Sequence, residues 1–141
     1  MTNDINSFLA MDIPTLGGEF NVRKIEPGDF VFLEGQPGDA AYVILKGEVQ
    51  VAAQNEKGDL VFINNMTAGE MFGEIALLSE NCSRTATTIS EKGCELLVID
   101  RLAFETHLLR VDLMTRYIMS QLCRRIVSLT KRAADSAPQP G

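Results

Sequence analysis

Between residues 20 and 100 the apolar positions fall into short runs separated by turn-forming residues. Residues 20–25 approach strict apolar–polar alternation, the period of a half-buried strand, and Pro27-Gly28-Asp29 turns the chain. Residues 30–33 are continuously apolar, as in a buried strand, and end at Glu34-Gly35-Gln36-Pro37-Gly38-Asp39. Residues 41–45 and 49–52 predict two further strands with Lys46-Gly47-Glu48 between them. Asn55-Glu56-Lys57-Gly58-Asp59 reads as a hairpin tip before a strand at 60–63. Strands at 85–89 and 95–99 flank the turn Glu91-Lys92-Gly93. Short strands at this spacing, with glycine-rich turns, predict a sandwich or barrel. A weak internal echo points to a roll wound twice. Pro27-Gly28-Asp29-Phe30-Val31-Phe32 and Ala68-Gly69-Glu70-Met71-Phe72 share a glycine, an acid and a following aromatic.

The period changes after Asp100. Leu102, Phe104, Leu108 and Leu109 suit a short helix over the end of the roll. Asp112 is placed to cap a longer helix, in which Met119, Leu122, Ile126, Leu129 and Ala133 form a seam of threes and fours. Met114, Tyr117 and Ile118 lie on a neighbouring face, so the helix has one apolar face for the roll and one for a partner. At the other end, Ile5 and Phe8-Leu9-Ala10-Met11 predict one short helix before the breaks at Pro14 and Gly17-Gly18. The expected layout is a single domain over 1–133, with strands at about 20–100 and helices at about 101–133. Residues 134–141 have the composition of a disordered tail.

Composition narrows the function. A chain of 141 residues fits one domain, and 45% hydrophobic content is that of an ordinary globule. There is no apolar run near the roughly 20 residues of a membrane span, and the N-terminus lacks a signal-peptide pattern. Cys82, Cys94 and Cys123 are odd in number and widely spaced, which fits reduced thiols in the cytoplasm. The net charge of −6 is unevenly spread, with 6 Lys and Arg against 16 Asp and Glu in residues 1–100, and 7 against 3 beyond. An acidic body is a poor nucleic-acid surface, and the basic end reads as the solvated face of a helix. His107 is the one histidine, so neither a metal-dependent cupin, the main rival β-roll, nor a Ser/His/Asp enzyme is expected. The cysteines lack zinc spacing, and Cys82 reads as an ordinary loop thiol. The expectation is a protein with no catalytic residues, no metal and no cofactor.

One stretch carries chemistry of another kind. In Phe72-Gly73-Glu74-Ile75-Ala76-Leu77-Leu78, Gly73 permits a sharp bend and close approach of a ligand. The apolar run after it fits a single helical turn whose leading N–H groups suit a phosphate. Glu74 offers two acceptor oxygens for vicinal hydroxyls. Arg84, ten positions on, supplies a planar fork of donors matched to phosphate oxygens, and Thr85 adds a hydroxyl beside it.

This stretch, continued by Arg84-Thr85-Ala86-Thr87, resembles the phosphate-binding cassette of cyclic nucleotide-binding domains, F-G-E-[IL]-A-L followed by R-[STA]-A-[TS]. The glycine-punctuated run through Gly28, Gly35 and Gly47 is similar to the same family, and the resemblance covers roughly residues 20–133. It implies a mainly β fold with flanking helices: an eight-stranded, jelly-roll-like double-stranded β-roll, then a short and a long C-terminal helix. It implies that Glu74 holds the ribose 2′-hydroxyl and Arg84 the cyclic phosphate. Phe72, Gly73, Ile75, Ala76, Thr85 and Ala86 complete the cassette, while Ile63 and Asn64 match strand positions flanking the base. The resemblance implies that Thr85 contacts phosphate or base, since in eukaryotic members of the family a threonine there can bond the guanine amino group of a syn nucleotide.

The length of the cassette loop and the run Gln121-Leu122-Cys123-Arg124-Arg125-Ile126 resemble the bacterial cyclic AMP receptor proteins. There a Thr-Ser pair, one residue from each subunit, bonds adenine. The matching positions hold Leu129 and Thr130, so Thr130 is expected to keep one contact and Leu129 to lose the other. Those regulators carry a helix-turn-helix domain after the long helix, where this chain stops, so direct DNA binding is not expected. The resemblance implies a stand-alone cytoplasmic sensor of cAMP or cGMP. It would pair as a homodimer through its long helix and signal to an effector protein by moving its C-terminal helices. A degenerate roll acting only as an interaction module, and a fragment of a larger regulator or channel, are the alternatives.

Overall fold

The protein is described here by a computed structural model covering residues 21–78 and 83–136. Among these residues the order is β1 (Asn21–Ile25), β2 (Asp29–Phe32), β3 (Ala40–Gln54), β4 (Leu60–Thr67), β5 (Met71–Phe72), α1 (Ile75–Leu78), β6 (Thr87–Ser90), β7 (Cys94–Asp100), α2 (Arg101–Leu108) and α3 (Leu113–Ser136). The fold is mainly β, with a curled antiparallel sheet followed by helices.

The two strands expected at 41–45 and 49–52 are one continuous strand, because Lys46-Gly47-Glu48 bends the chain without ending it. The register against β7 slips between Ile44 and Lys46, and Gly47 takes φ 89°. A Cβ at Gly47 would also strike the carbonyl of Gly93, so only glycine fits this bend. The bend lets β3 serve two sheets. Its first half pairs with β7 and β5, and β7 continues to β1. Its second half pairs with β6 and β4, and β6 continues to β2. All pairs are antiparallel, and seven described strands fill eight places because β3 is used twice.

Alternation along β3 sends side chains to two cores. Tyr42, Ile44 and Val49 meet Ile25, Val31, Phe72 and Leu96 between the sheets, and Ile44, Val49 and Leu96 are fully buried. Each such side chain contributes roughly 1.5–3 kcal/mol on removal from water. Ala41 and Val43 face the opposite way, joining Leu97, Ile99, Leu77 of α1 and Phe104 of α2. Phe104 is therefore the anchor of the short helix, while Leu102 and Leu109, expected to share that role, are 75% and 73% exposed.

Aspartates cap the starts of both C-terminal helices, Asp112 as expected from the sequence and Asp100 in addition. The side chain of Asp100 accepts from Ala103 N at 2.7 Å, and that of Asp112 accepts from Thr115 N at 2.9 Å. Helix α3 runs on to Ser136, so residues 134–136, expected in the tail, are helical, while 137–141 lie outside the described residues. The helix expected near the N-terminus and the loop thiol Cys82 also lie outside them. Among the described residues no helix is long and apolar enough to cross a membrane.

Candidate functional site

A cavity of about 400 Å³ opens against the second sheet and the segment from Met71 to Ala76. Its size lies within the usual range for small-molecule sites. Ten of the residues singled out from the sequence line it: Ile63, Asn64, Phe72, Gly73, Glu74, Ile75, Ala76, Arg84, Thr85 and Ala86. Phe72 and Ala76 are buried, Glu74 is half-buried, and Ile63, Asn64 and Thr85 stand at the exposed side. The remaining candidate, Thr130, lies in α3, and its side chain falls outside the description. No described residue of α3 lines the cavity.

Arg84 is the buried cation of the site, only 7% exposed. Its backbone is clamped by the loop after β2: Gly35 N donates to its carbonyl at 2.8 Å, and its own N–H donates to Gln36 O at 2.7 Å. The guanidinium donates to Ala40 O at 2.9 Å through Nη2 and to Gly73 O at 3.2 Å through Nη1. Its Cζ lies 4.0 Å from the centroid of Phe32 and 5.8 Å from that of Tyr42, both within cation–π range. Carbonyl oxygens and ring faces thus hold a planar donor fork in one orientation at the cavity wall.

The cassette turn lies directly beside the guanidinium. Gly73 has φ 74°, and its carbonyl accepts from both Ala76 N, opening α1, and the Arg84 side chain. A Cβ there would lie 2.9 Å from Arg84 Nη1 and 3.3 Å from Phe32 Cε2, so glycine is required both by the dihedral and by the close approach. Glu74 O accepts from Leu77 N at 2.9 Å within the same turn, and Glu74 itself lines the cavity.

Several lining residues were not legible as site residues. Phe32, Val51, Met66, Met71, Ser83 and Thr88 also face the cavity. Phe32 had a signal of sorts in the internal echo, since the aromatics closing its two copies, Phe32 and Phe72, meet at 5.9 Å between centroids. Tyr42 joins them, stacking on Phe72 at 5.3 Å. Among the free thiols, burial pushes Cys94 upward against the opposing effects of Ser90 and Arg23, and burial also raises Cys123. Both are less nucleophilic than an ordinary thiol at neutral pH.

Comparison with known proteins bears on this arrangement. Residues 22–110 match the family described as the cyclic nucleotide-binding domain. The chain is 37% identical over 82 residues to the cGMP-dependent protein kinase egl-4 of Caenorhabditis elegans, covering 58% of this chain and 10% of that protein. It is 34% identical over 107 residues to the cAMP-dependent protein kinase type II regulatory subunit of Drosophila melanogaster, covering 76% of this chain and 27% of that one. The chain thus spans only about a tenth to a quarter of these relatives. Among solved structures, the cAMP-bound EAL enzyme Bd1971 superposes with TM-score 0.67 at 26% identity, over 83% of this chain and 30% of that one. The Thermus thermophilus catabolite activator protein superposes with TM-score 0.66 at 26% identity, over 80% of this chain and 53% of that one. The chain belongs to the cyclic nucleotide-binding domain family.

Proposed function

We propose that this domain is a sensor that takes cAMP or cGMP into the cavity and signals through its C-terminal helices. Arg84 holds the cyclic phosphate and Glu74 the ribose 2′-hydroxyl. The neighbouring backbone of Gly73, Ile75 and Ala76 closes around the sugar phosphate, with Phe72 beneath it. Thr85 and Ala86 flank the phosphate, and Ile63 and Asn64 border the base at the open side. The observation that carries this reading is the convergence of Glu74 and Arg84 on one cavity of about 400 Å³, with the guanidinium already oriented. The solved EAL enzyme relative with cGMP bound, TM-score 0.66 and 27% identity over 82% of this chain, supports the ligand class. The domain itself performs no catalysis; its output passes to an effector protein in the cytoplasm, without direct contact with DNA or membrane.

The same reading makes the domain a homodimer through α3. Leu122, Ile126 and Leu129 of the seam are exposed in a single chain, as are Tyr117 and Ile118 of the neighbouring face. An apolar stripe of this extent marks an interaction surface, and a second copy of the helix matches it in pattern. Thr130 then adds a base contact from the helix. Ligand shifts the equilibrium between two helix positions by its differential affinity for them.

Thermal unfolding with cAMP and with cGMP tests the central claim. Ligand at 100-fold above Kd stabilises by about 2.7 kcal/mol, a shift of several degrees for a domain of this size. The shift should vanish in Arg84→Ala. A flat response of the wild type to both ligands at millimolar concentration leaves only the interaction-module reading.

A further inference from the structure

Strand β6 buries three hydroxyl residues, Thr87, Thr88 and Ser90. Two have obvious structural work. Thr87 Oγ1 accepts from Glu34 N at 2.9 Å, and Ser90 Oγ donates to Glu48 O at 2.6 Å. Thr88 is different. It is only 2% exposed, yet its hydroxyl has no hydrogen-bond partner among the described residues. Buried polar atoms are nearly always paired, and an exception points to strain or to a partner that arrives later.

The register says where this hydroxyl residue sits. Thr88 pairs with Val51 of β3 on one side and with Phe32 of β2 on the other. Residues directly opposite one another in a sheet put their side chains on the same face. All three line the cavity. Thr88 therefore lies in the cavity floor between two apolar neighbours, one of which is the ring under the Arg84 guanidinium. A valine would fill this place with the same branched shape, higher strand preference and no unmet hydrogen bond. Nothing among the described residues uses the hydroxyl, so a ligand is the natural partner.

We propose that Thr88 is a specificity-determining residue whose hydroxyl hydrogen-bonds a polar atom in the nucleoside half of the bound nucleotide. The assignment rests on the cyclic nucleotide reading of the cavity. It adds a reader on the floor to the cassette groups that grip the sugar and phosphate. One neutral hydrogen bond in a closed site corresponds to about a threefold to tenfold change in affinity.

The test compares wild type, Thr88→Val, Thr88→Ser and Arg84→Ala by calorimetry with cAMP and cGMP, alongside melting of each protein without ligand. Thr88→Val is expected to melt at or above the wild-type temperature while binding at least one nucleotide about threefold to tenfold more weakly. Thr88→Ser is expected to keep affinity within about twofold. Unchanged affinity of Thr88→Val for both nucleotides overturns the proposal, and so does a ligand-free melting temperature several degrees below wild type, which would make the hydroxyl structural. In those two outcomes wild-type binding and its loss in Arg84→Ala leave the cavity reading standing. Absence of binding by the wild type removes that reading, and this one with it.

Discussion

A Cβ placed on Gly38 would lie 2.5 Å from Nε and 2.7 Å from Cζ of Arg84. The loop after β2 is therefore bare of side chain where the guanidinium lies across it. Arginine is the flexible member of the pair, so the clash in Gly38→Ala would be relieved by driving the guanidinium off its carbonyl partners, Ala40 and Gly73. The substitution is expected to leave the fold intact and to weaken cyclic nucleotide binding about tenfold or more, as befits a displaced charge-assisted bond. Calorimetry with cAMP and cGMP checks it. Wild-type affinity in Gly38→Ala would mean that the arginine reaches the phosphate equally well from a second orientation.

Gly38 also shows what was hidden in the sequence. Its role comes from a residue 46 positions away, and a single glycine in a turn announces nothing of the kind. The cassette was legible because its chemistry is local: Phe72 to Ala76 form one turn, and Arg84 and Thr85 follow shortly after. Glu74 and Arg84 do line one cavity. The floor was not legible, because Phe32, Val51 and Thr88 come together only through pairing of β2, β3 and β6. Strand positions were readable from period and turns, but the continuity of β3 was not. A Lys-Gly-Glu triplet serves equally for a loop or for a bend, and the choice depends on pairing with β7 on one side and β4 and β6 on the other. Two-residue β5 is too short to carry any period, and it exists because Phe72 pairs with Tyr42.

The apolar stripe of α3 predicts self-association. Leu122 is 50% exposed and Ile126 is 39% exposed within one chain. Replacing both with glutamate would set like charges against each other across a paired helix, and is expected to convert a dimer into monomers in sedimentation. Neither side chain belongs to the buried core, so the melting temperature of the monomeric roll should change little. A wild type that sediments as a monomer at high micromolar concentration refutes the pairing.

The start of α3 should be sensitive to acid. Hydrogen bonds from the Thr115 backbone and hydroxyl hold the Asp112 carboxyl below its ordinary value. A carboxylate with a folded pKa below its unfolded one contributes stability above the unfolded pKa, and loses it as pH falls through the folded one. Helix content measured by circular dichroism should therefore fall as pH drops below about 4. In Asp112→Ala that part of the acid response should be missing and the helix start frayed at neutral pH. An identical acid profile for the variant would assign the transition to other carboxylates.

Base selectivity should be weak. Thr85 stands at the exposed side of the cavity beside Arg84, where its hydroxyl can meet a guanine amino group, whereas Leu129 offers adenine no hydrogen bond. One neutral hydrogen bond is worth about 0.5–1.5 kcal/mol, so cAMP and cGMP affinities are expected within roughly tenfold of each other. Thr85→Ala should weaken cGMP more than cAMP. Equal losses for both nucleotides would make Thr85 a phosphate contact.

The route from the cavity to the helices is expected to run through Arg101. As the first residue of α2, it donates its backbone N–H to Asp39 O at 2.9 Å and its Nη2 to the carbonyl of Ala76 in α1. One residue thus ties the helical end of the chain both to the cassette turn and to the loop that carries Gly38 against Arg84. Movement of α1 toward a bound phosphate would pull on Arg101 directly, while the apolar contact of Phe104 with the Leu77 cluster would follow more loosely. Alanine at position 101 keeps the backbone bond but removes the link to Ala76. Arg101→Ala is therefore expected to bind cyclic nucleotide with less loss than Arg84→Ala, since no cavity residue changes. Its ligand-induced change in amide hydrogen exchange over α2 and α3 should be largely abolished. If that change persists at the wild-type level, coupling runs instead through Leu77 and Phe104, and a smaller residue at position 104 becomes the variant that breaks it.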